Sequence, residues 1–309
     1  MSSRRILVTG VAGFIGSNLA ERLLSEGYEV IGIDNLAYGV HEQVPLGVNF
    51  HALDIRSKDI FPLFEEIDTV FHLAAKNCIA DCQNDPVDTA SINVLGSVNV
   101  FEAAHRAGVR KIVYAESSAI YEGSTKLPTP EYDEHPESFY ALSKSAERLF
   151  AQGYERYGNI VTTALRYFCV YGPRQDYRRT IPPVMSAFII HLLNGTQPTI
   201  YGSGEKRRDF IYVDDVNDFH LQCINDPRTD GRVFNLGSGV NYSVREIFDT
   251  VKKLLNSDIE PIFKPDLLGE ALTTLADINE ASELGWAPMV DLEEGLYRSI
   301  QHIREQVVT

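Results

Sequence analysis

The segment "RILVTGVAGFIGS" constrains this chain more than any other. An apolar run, Arg5–Thr9, meets three glycines, Gly10, Gly13 and Gly16, and then an amphipathic stretch, "FIGSNLAERLLSEG", that ends at Gly27. A strand, a tight turn and a helix follow from that order. Gly10 serves the turn, Gly13 lets a diphosphate approach the backbone, and Gly16 allows close helix–strand packing. Unpaired N–H groups at the helix start, including those of Phe14 and Ile15, favour an anion.

The same alternation continues. "EVIGID", "VNFHALDI", "DTVFHLAA", "KIVYAESS" and "NIVTTALRYF" read as strands, several of them continuous apolar runs. A long helix is expected from about Asp88 to Gly108, and another around "YALSKSAERLF". Buried strands separated by helices predict an α/β fold: a Rossmann-type doubly wound parallel sheet with helices on both faces. After Phe168 prolines and glycines become frequent and the alternation stops. A smaller irregular α/β domain is expected there. Residues 1–168 form the dinucleotide-binding domain in this reading, with 210–238 returning to it; 169–209 and 239–309 form the substrate-binding domain.

Composition removes several classes of function. The 43 acidic residues against 28 basic ones give a formal charge of −15, which disfavours nucleic acid or an anionic membrane as partner. No apolar stretch is long enough to span a bilayer. "MSSRRILVTG" lacks the apolar core and cleavage site of a signal peptide. Cys78, Cys82, Cys169 and Cys223 have neither metal-type spacing nor a disulfide framework. A cytoplasmic, reduced protein without a metal is expected.

Asp34 closes the second strand, where a carboxylate accepts ribose hydroxyls and repels a 2′-phosphate; NAD is expected rather than NADP. Asp54 and Ile55, at the third strand's end, either hold an adenine edge and face or end a strand with a solvated carboxylate. In "YALSKSAERLF", Tyr140 and Lys144 stand four apart, which puts a phenol and an ammonium on one helix face. That spacing alone fits an ordinary helix equally well.

The three glycines, "DN" (Asp34, Asn35), "LDI", "HLAA" (Leu73, Ala74, Ala75), "ESSAIY", Tyr-x-x-x-Lys, "RYFCVYGPRQ", "RRDFIYVDD" and "FNLGSG" occur in one order along the chain. In this the chain resembles the extended short-chain dehydrogenase/reductase family of NAD-dependent epimerases and dehydratases. It is most similar to nucleotide-sugar 4-epimerases of the UDP-glucose/UDP-N-acetylglucosamine type. The resemblance implies that Tyr140 is the acid–base residue, Lys144 its partner and Ser117 the hydroxyl that aligns the sugar. It implies NAD contacts from Gly10, Gly13, Phe14, Ile15, Gly16, Asp34, Asn35, Asp54, Ile55, Leu73, Ala74, Ala75, Asn93, Tyr140 and Lys144. It implies substrate contacts from Ser117, Ser118, Tyr140, Cys169, Arg174, Arg208 and Thr274. Arg208 matches an arginine that clasps a diphosphate, and is otherwise part of a surface basic cluster.

The implied reaction is transient oxidation at C4 of UDP-glucose/galactose and UDP-N-acetylhexosamines, rotation of the 4-keto sugar and re-reduction: an isomerase of carbohydrate metabolism. A free tyrosine has a pKa of about 10, so Lys144 and a positive nicotinamide must together favour its phenolate. Ser118 and Ala119 stand where relatives that dehydrate or decarboxylate carry carboxylates. Thr274 is small enough to admit an acetamido group. Glu116 and Glu122 are expected to be exposed or paired. Two departures from the family pattern are Cys169, for an asparagine, and Leu267, for a second diphosphate arginine; Arg174, Arg178 and Arg179 stand near enough in sequence to compensate. The alternatives are another NDP-sugar enzyme (a uronic acid epimerase or keto-sugar reductase) or a non-catalytic NAD-binding regulator. A homodimer is expected through a four-helix bundle of the helices around Asp88–Gly108 and Ser138–Tyr157.

Overall fold

A computed structural model describes residues 4–175, 182–266 and 272–307. The chain divides into two compact units. The first comprises Met1–Thr125, Glu131–Tyr167 and Asn217–Asn235. Its strands are β1 (Arg5–Thr9), β2 (Glu29–Asp34), β3 (Asn49–Ala52), β4 (Thr69–His72), β5 (Lys111–Ser117) and β6 (Val161–Tyr167), and β10 (Arg232–Leu236) completes the sheet. Strand order is β10-β6-β5-β4-β1-β2-β3. Every pairing from β3 through to β6 is parallel. This is the Rossmann-type doubly wound sheet expected from the sequence. The order reverses between β1 and β4, so a crevice opens beyond the carboxyl ends of those two strands.

The helices of this unit are α1 (Phe14–Ser25), α2 (Ile79–Asn84), α3 (Pro86–Ala90), α4 (Ser97–Ala107) and α5 (Phe139–Gly158); α7 (Val213–Asn225) carries the chain back into it. Leu7, Ile31, Val70, Ile112 and Ala164 from the sheet pack with Val100, Phe101 and Ala104 from α4. Burying each such large apolar side chain contributes about 1.5–3 kcal/mol. The helix expected from about Asp88 to Gly108 starts earlier, at Pro86, because Asp85 accepts the Asp88 N–H. Its middle, Ser91–Gly96, is a π-helical turn. Such an inserted turn often marks a functional site, and here it carries Asn93 inward. Gly108, at φ +71°, terminates the helix.

The second unit comprises Lys126–Pro130, Phe168–Val216 and Leu236–Thr309. Strands β7 (Cys169–Tyr171), β9 (Arg207–Tyr212) and β11 (Asn241–Ser243) form one sheet in the order β11-β9-β7, and β8 (Thr199–Tyr201) pairs with β12 (Ile262–Lys264) in another. Helices α6 (Val184–Leu193), α8 (Val244–Leu255), α9 (Asn279–Ser282) and α10 (Leu292–Val307) complete it. The returning segment is shorter than the expected 210–238: Phe210–Tyr212 stay in the second unit because they pair with β7. Asp209 is fully buried and accepts the N–H groups of Ser238, Gly239 and Ala276. That carboxylate ties "FNLGSG" and "ALTTLAD" to β9. Among the described residues no helix is long and apolar enough to cross a membrane.

Candidate active site

The glycine loop lies where the strand order reverses. Gly10 has φ +73°, and a Cβ on it would come 2.9 Å from the Ala74 nitrogen. The loops after β1 and β4 therefore touch, backbone against backbone. A Cβ on Gly16 would sit 2.1 Å from the Gly10 oxygen, so only glycine lets α1 start this close to its strand. The Thr9 hydroxyl accepts the N–H groups of Leu73 (3.1 Å) and Ala74 (3.2 Å), which fixes the second loop to the first.

Asp34 is buried at the end of β2, and its two oxygens accept the N–H groups of Ala12 (3.1 Å) and Leu36 (2.8 Å). Burial pushes its carboxyl up, and these two N–H groups pull it back. A carboxylate has about four acceptor sites, so each oxygen keeps one for a ribose hydroxyl. A Cβ on Gly39 would stand 2.9 Å from Asp34 Oδ1, so the missing side chain leaves that oxygen approachable. These residues fit an adenosine diphosphate ribose without a 2′-phosphate.

Asp54 is held at the end of its strand. Its Oδ1 accepts from the Arg56 N–H and Nε, and its Oδ2 from Asn35 Nδ2 and Arg56 Nη2, at 2.7–2.9 Å. The Arg56 guanidinium holds the carboxyl well below the usual range. With its acceptor sites filled, the Asp54 side chain reads as the clamp of a strand end. Ile55 is buried against Gly96. Asn93 is likewise occupied: Oδ1 accepts the Lys76 N–H (2.8 Å), while Nδ2 reaches the Lys76 carbonyl and the Ser143 hydroxyl, both at 3.0 Å. It ties the segment beyond Ala75 to α5.

Ser117 ends β5, and its hydroxyl accepts the Ala119 N–H at 3.2 Å, with Ser118 opening a short 3-10 turn. Ser138 caps α5 through the Ala141 N–H, and Tyr140 follows in the first turn. The Ser117 side chain stands near enough to the Tyr140 phenol to favour its ionised form. Burial pushes the phenol above its ordinary value; the Lys144 charge and the Ser117 side chain oppose that. The chain alone therefore leaves Tyr140 protonated at neutral pH. Lys144 Nζ is buried, 2.9 Å from Glu147 Oε2.

Four carboxylates shape the surroundings. Glu116 is fully buried and bonded to Arg166 at 2.6 Å, and Glu134 also bonds Arg166. Glu122 grips Ser138. Glu116 and Glu122 are thus paired, as the sequence suggested. Glu147 is a site residue that sequence reasoning passed over, although it stands three residues after Lys144, within one helical turn.

Four expected substrate residues belong to the second unit. Cys169 on β7 pairs in register with Phe210 on β9, and its surroundings push its thiol up to about 11, with Arg208 pulling the other way. The Thr274 hydroxyl accepts the Asp209 N–H at 3.3 Å, so the segment bearing it runs along β9 beside Arg208. Arg174 follows β7 with φ 66°. Leu267, Arg178 and Arg179 lie outside the described residues.

The chain is similar to known proteins along nearly its whole length. The model of the NAD dependent epimerase/dehydratase family matches residues 6–237. A UDP-glucose 4-epimerase of Mycolicibacterium smegmatis is 36% identical, over 98% of this chain and 99% of its own length. The solved UDP-glucose 4-epimerase of Thermotoga maritima with UDP-glucose superposes with a TM-score of 0.95 at 35% identity, covering 98% of this chain and 99% of that one. The Thermus thermophilus UDP-glucose 4-epimerase in complex with NAD gives 0.89 at 32% identity, covering 97% and 99%.

Proposed function

The chain belongs to the NAD dependent epimerase/dehydratase family, and from that premise we propose that it inverts C4 of UDP-linked hexoses, with NAD as its cofactor. What carries this reading is the buried Tyr140 phenol with the buried Lys144 ammonium and the Ser117 side chain acting on it.

Gly10, Gly13, Gly16 and the α1 N–H groups receive the diphosphate of the cofactor, and Asp34 its adenosine ribose. When bound, NAD supplies a hydride acceptor and donor and a further positive charge. Ser117 orients the C4 hydroxyl of the sugar. Tyr140 takes the hydroxyl proton, with Lys144 stabilising the phenolate. The 4-keto sugar turns its other face to the site, and Tyr140 returns the proton as hydride returns to C4. In this reading Cys169, Arg174, Arg208 and Thr274 are further substrate contacts, Arg208 at the diphosphate.

Ala119 and Ser118 supply no carboxylate after Ser117, which favours simple epimerisation over dehydration. Thr274 favours acceptance of UDP-N-acetylhexosamines as well as UDP-glucose and UDP-galactose. A cytoplasmic homodimer completes the reading. Phe139, Leu142, Leu149, Phe150 and Tyr157 leave a large apolar stripe of α5 exposed, and Leu95 and Val87 lie exposed on the helix before α4. An exposed apolar face of that size suits a two-fold helix pairing.

Incubation of the protein with UDP-glucose, UDP-galactose, their N-acetyl counterparts and UDP-glucuronate, read by NMR at the anomeric proton, tests the activity. The expected result is a UDP-glucose/UDP-galactose mixture from either pure sugar. Conversion of UDP-glucuronate alone would move the assignment to a uronic acid epimerase. Bound NAD with no conversion of any sugar would favour a regulator.

A further inference from the structure

A buried lysine is an unfavourable place for a positive charge. Lys144 is only 2% exposed, yet the proposed reaction needs it protonated beside Tyr140. Its Nζ lies 2.9 Å from Oε2 of Glu147, which is 0% exposed and three residues further along α5. The other Glu147 oxygen, Oε1, is 3.1 Å from the Ser97 hydroxyl and 3.5 Å from His72 Nε2.

That second contact has a definite polarity. The Thr9 hydroxyl oxygen accepts the Leu73 and Ala74 N–H groups, so its own proton is directed to His72 Nδ1, 2.7 Å away. His72 is fully buried and holds its pKa at about 3, so the ring is neutral with its proton on Nε2. That N–H points at the Ser97 hydroxyl, 2.9 Å away, and at the Glu147 carboxylate beyond it. The Ser97 proton is shared between the Asn93 carbonyl, 2.7 Å away, and Glu147 Oε1, so the carboxylate is flanked by Ser97 and His72 on one side and bonded to the ammonium on the other.

We infer that Glu147 is a positioning residue for the acid–base pair: its carboxylate, flanked by Ser97 and His72, fixes the Lys144 ammonium and keeps it charged beside Tyr140. The inference rests on the reading of Tyr140 and Lys144 as that pair. Burial alone drives Lys144 toward the neutral amine, and Glu147 is the strongest of the groups that oppose it. The other ionisable groups facing this pair are Tyr140 on α5, Glu116 and Tyr114 on β5, Tyr167 on β6, His72 on β4 and, near Tyr140, Cys82 on α2. None of them is both anionic and in contact with Nζ among the described hydrogen bonds and ion pairs.

The test is a pH titration of Lys144 in the NAD-loaded protein, observed at 13Cε of labelled lysine and assigned by the signal missing in Lys144→Arg. In the wild type the signal should report an ammonium to pH 10 and above. In Glu147→Gln it should titrate at least about one pH unit lower. Glu147→Asp, which retains the charge one methylene further away, should fall between. Turnover should follow: the alkaline limb of kcat moves to lower pH in Glu147→Gln by the same shift, and KM stays near wild type. Lys144 titrating alike in wild type and Glu147→Gln would overturn the inference. If Glu147→Gln does not fold, Glu147→Asp decides in the same way. A shifted Lys144 titration in a protein that converts no UDP-sugar supports the role of Glu147 and contradicts the proposed function instead.

Discussion

The Glu122 carboxylate closes the N-terminus of α5: Oε2 accepts the Ser138 N–H at 2.7 Å, and Oε1 accepts the Ser138 hydroxyl at 2.8 Å. Glu122 follows the short turn that begins at Ser118, and Ser138 precedes Tyr140 by two residues. One side chain thus links the segment bearing Ser117 to the helix bearing Tyr140. Glu122→Ala should cost about 1–3 kcal/mol in urea unfolding, as expected for losing a cap and its hydrogen bonds. It should lower kcat about tenfold through misplacement of Tyr140, with NAD retained. Unchanged kcat in the destabilised variant would show that the clamp serves stability alone.

The glycine loop makes a sharper prediction. A methyl group on Gly16 would stand 2.1 Å from the Gly10 oxygen, and relief of that clash must open the turn. Gly16→Ala should therefore purify with less than about one-tenth of the wild-type NAD content, if it folds, because the N–H groups no longer converge on the diphosphate. Wild-type NAD content, measured by absorbance after acid release, would contradict the assignment of the loop.

Acid stability should carry the mark of buried histidine. His220 lies between Phe71 and Tyr167, with Nε2 2.6 Å from the Tyr167 hydroxyl, and burial lowers its pKa to about 3. The unfolded chain binds this proton at about pH 6.5 and the folded protein does not, so stability falls as pH drops below 6.5. The maximal slope from this one residue is about 1.4 kcal/mol per pH unit. Urea unfolding at pH 7, 6, 5 and 4 should show a shallower acid slope in His220→Gln. An identical slope would mean that His220 is protonated in the folded state.

Much of this was readable in the chain. The strands announced themselves because they are buried on both faces, as in β5, "KIVYAES", where six of seven residues are buried. The helix Val244–Leu255 is strongly amphipathic, with Ile247, Phe248 and Val251 buried on one face. Short elements such as β8 and β12 did not stand out, since three-residue strands carry too little pattern. The saturation of Asp54 by Arg56 and Asn35 was hidden for another reason: a motif names residue types, whereas hydrogen-bond occupancy depends on neighbours up to nineteen positions away. Glu147 sat in plain view within the Tyr140 helix. Only its complete burial distinguishes it from a solvated glutamate.

Substrate choice should respond to Thr274. Its hydroxyl is tied to the Asp209 N–H, so the side chain is short and held. Thr274→Tyr should leave UDP-glucose conversion within about threefold and cut UDP-N-acetylglucosamine conversion at least tenfold, through steric exclusion of the acetamido group. Equal losses on both sugars would place Thr274 outside the sugar pocket.

The central claim concerns the Tyr140 hydroxyl, on which the Lys144 charge and the Ser117 side chain act. Tyr140→Phe removes one oxygen and leaves the glycine loop and Asp34 intact. The anomeric-proton NMR spectrum of this variant with UDP-galactose, at wild-type NAD content, is the most direct test. The account predicts a fall in the rate of UDP-glucose formation of at least about a hundredfold; a wild-type rate would contradict it.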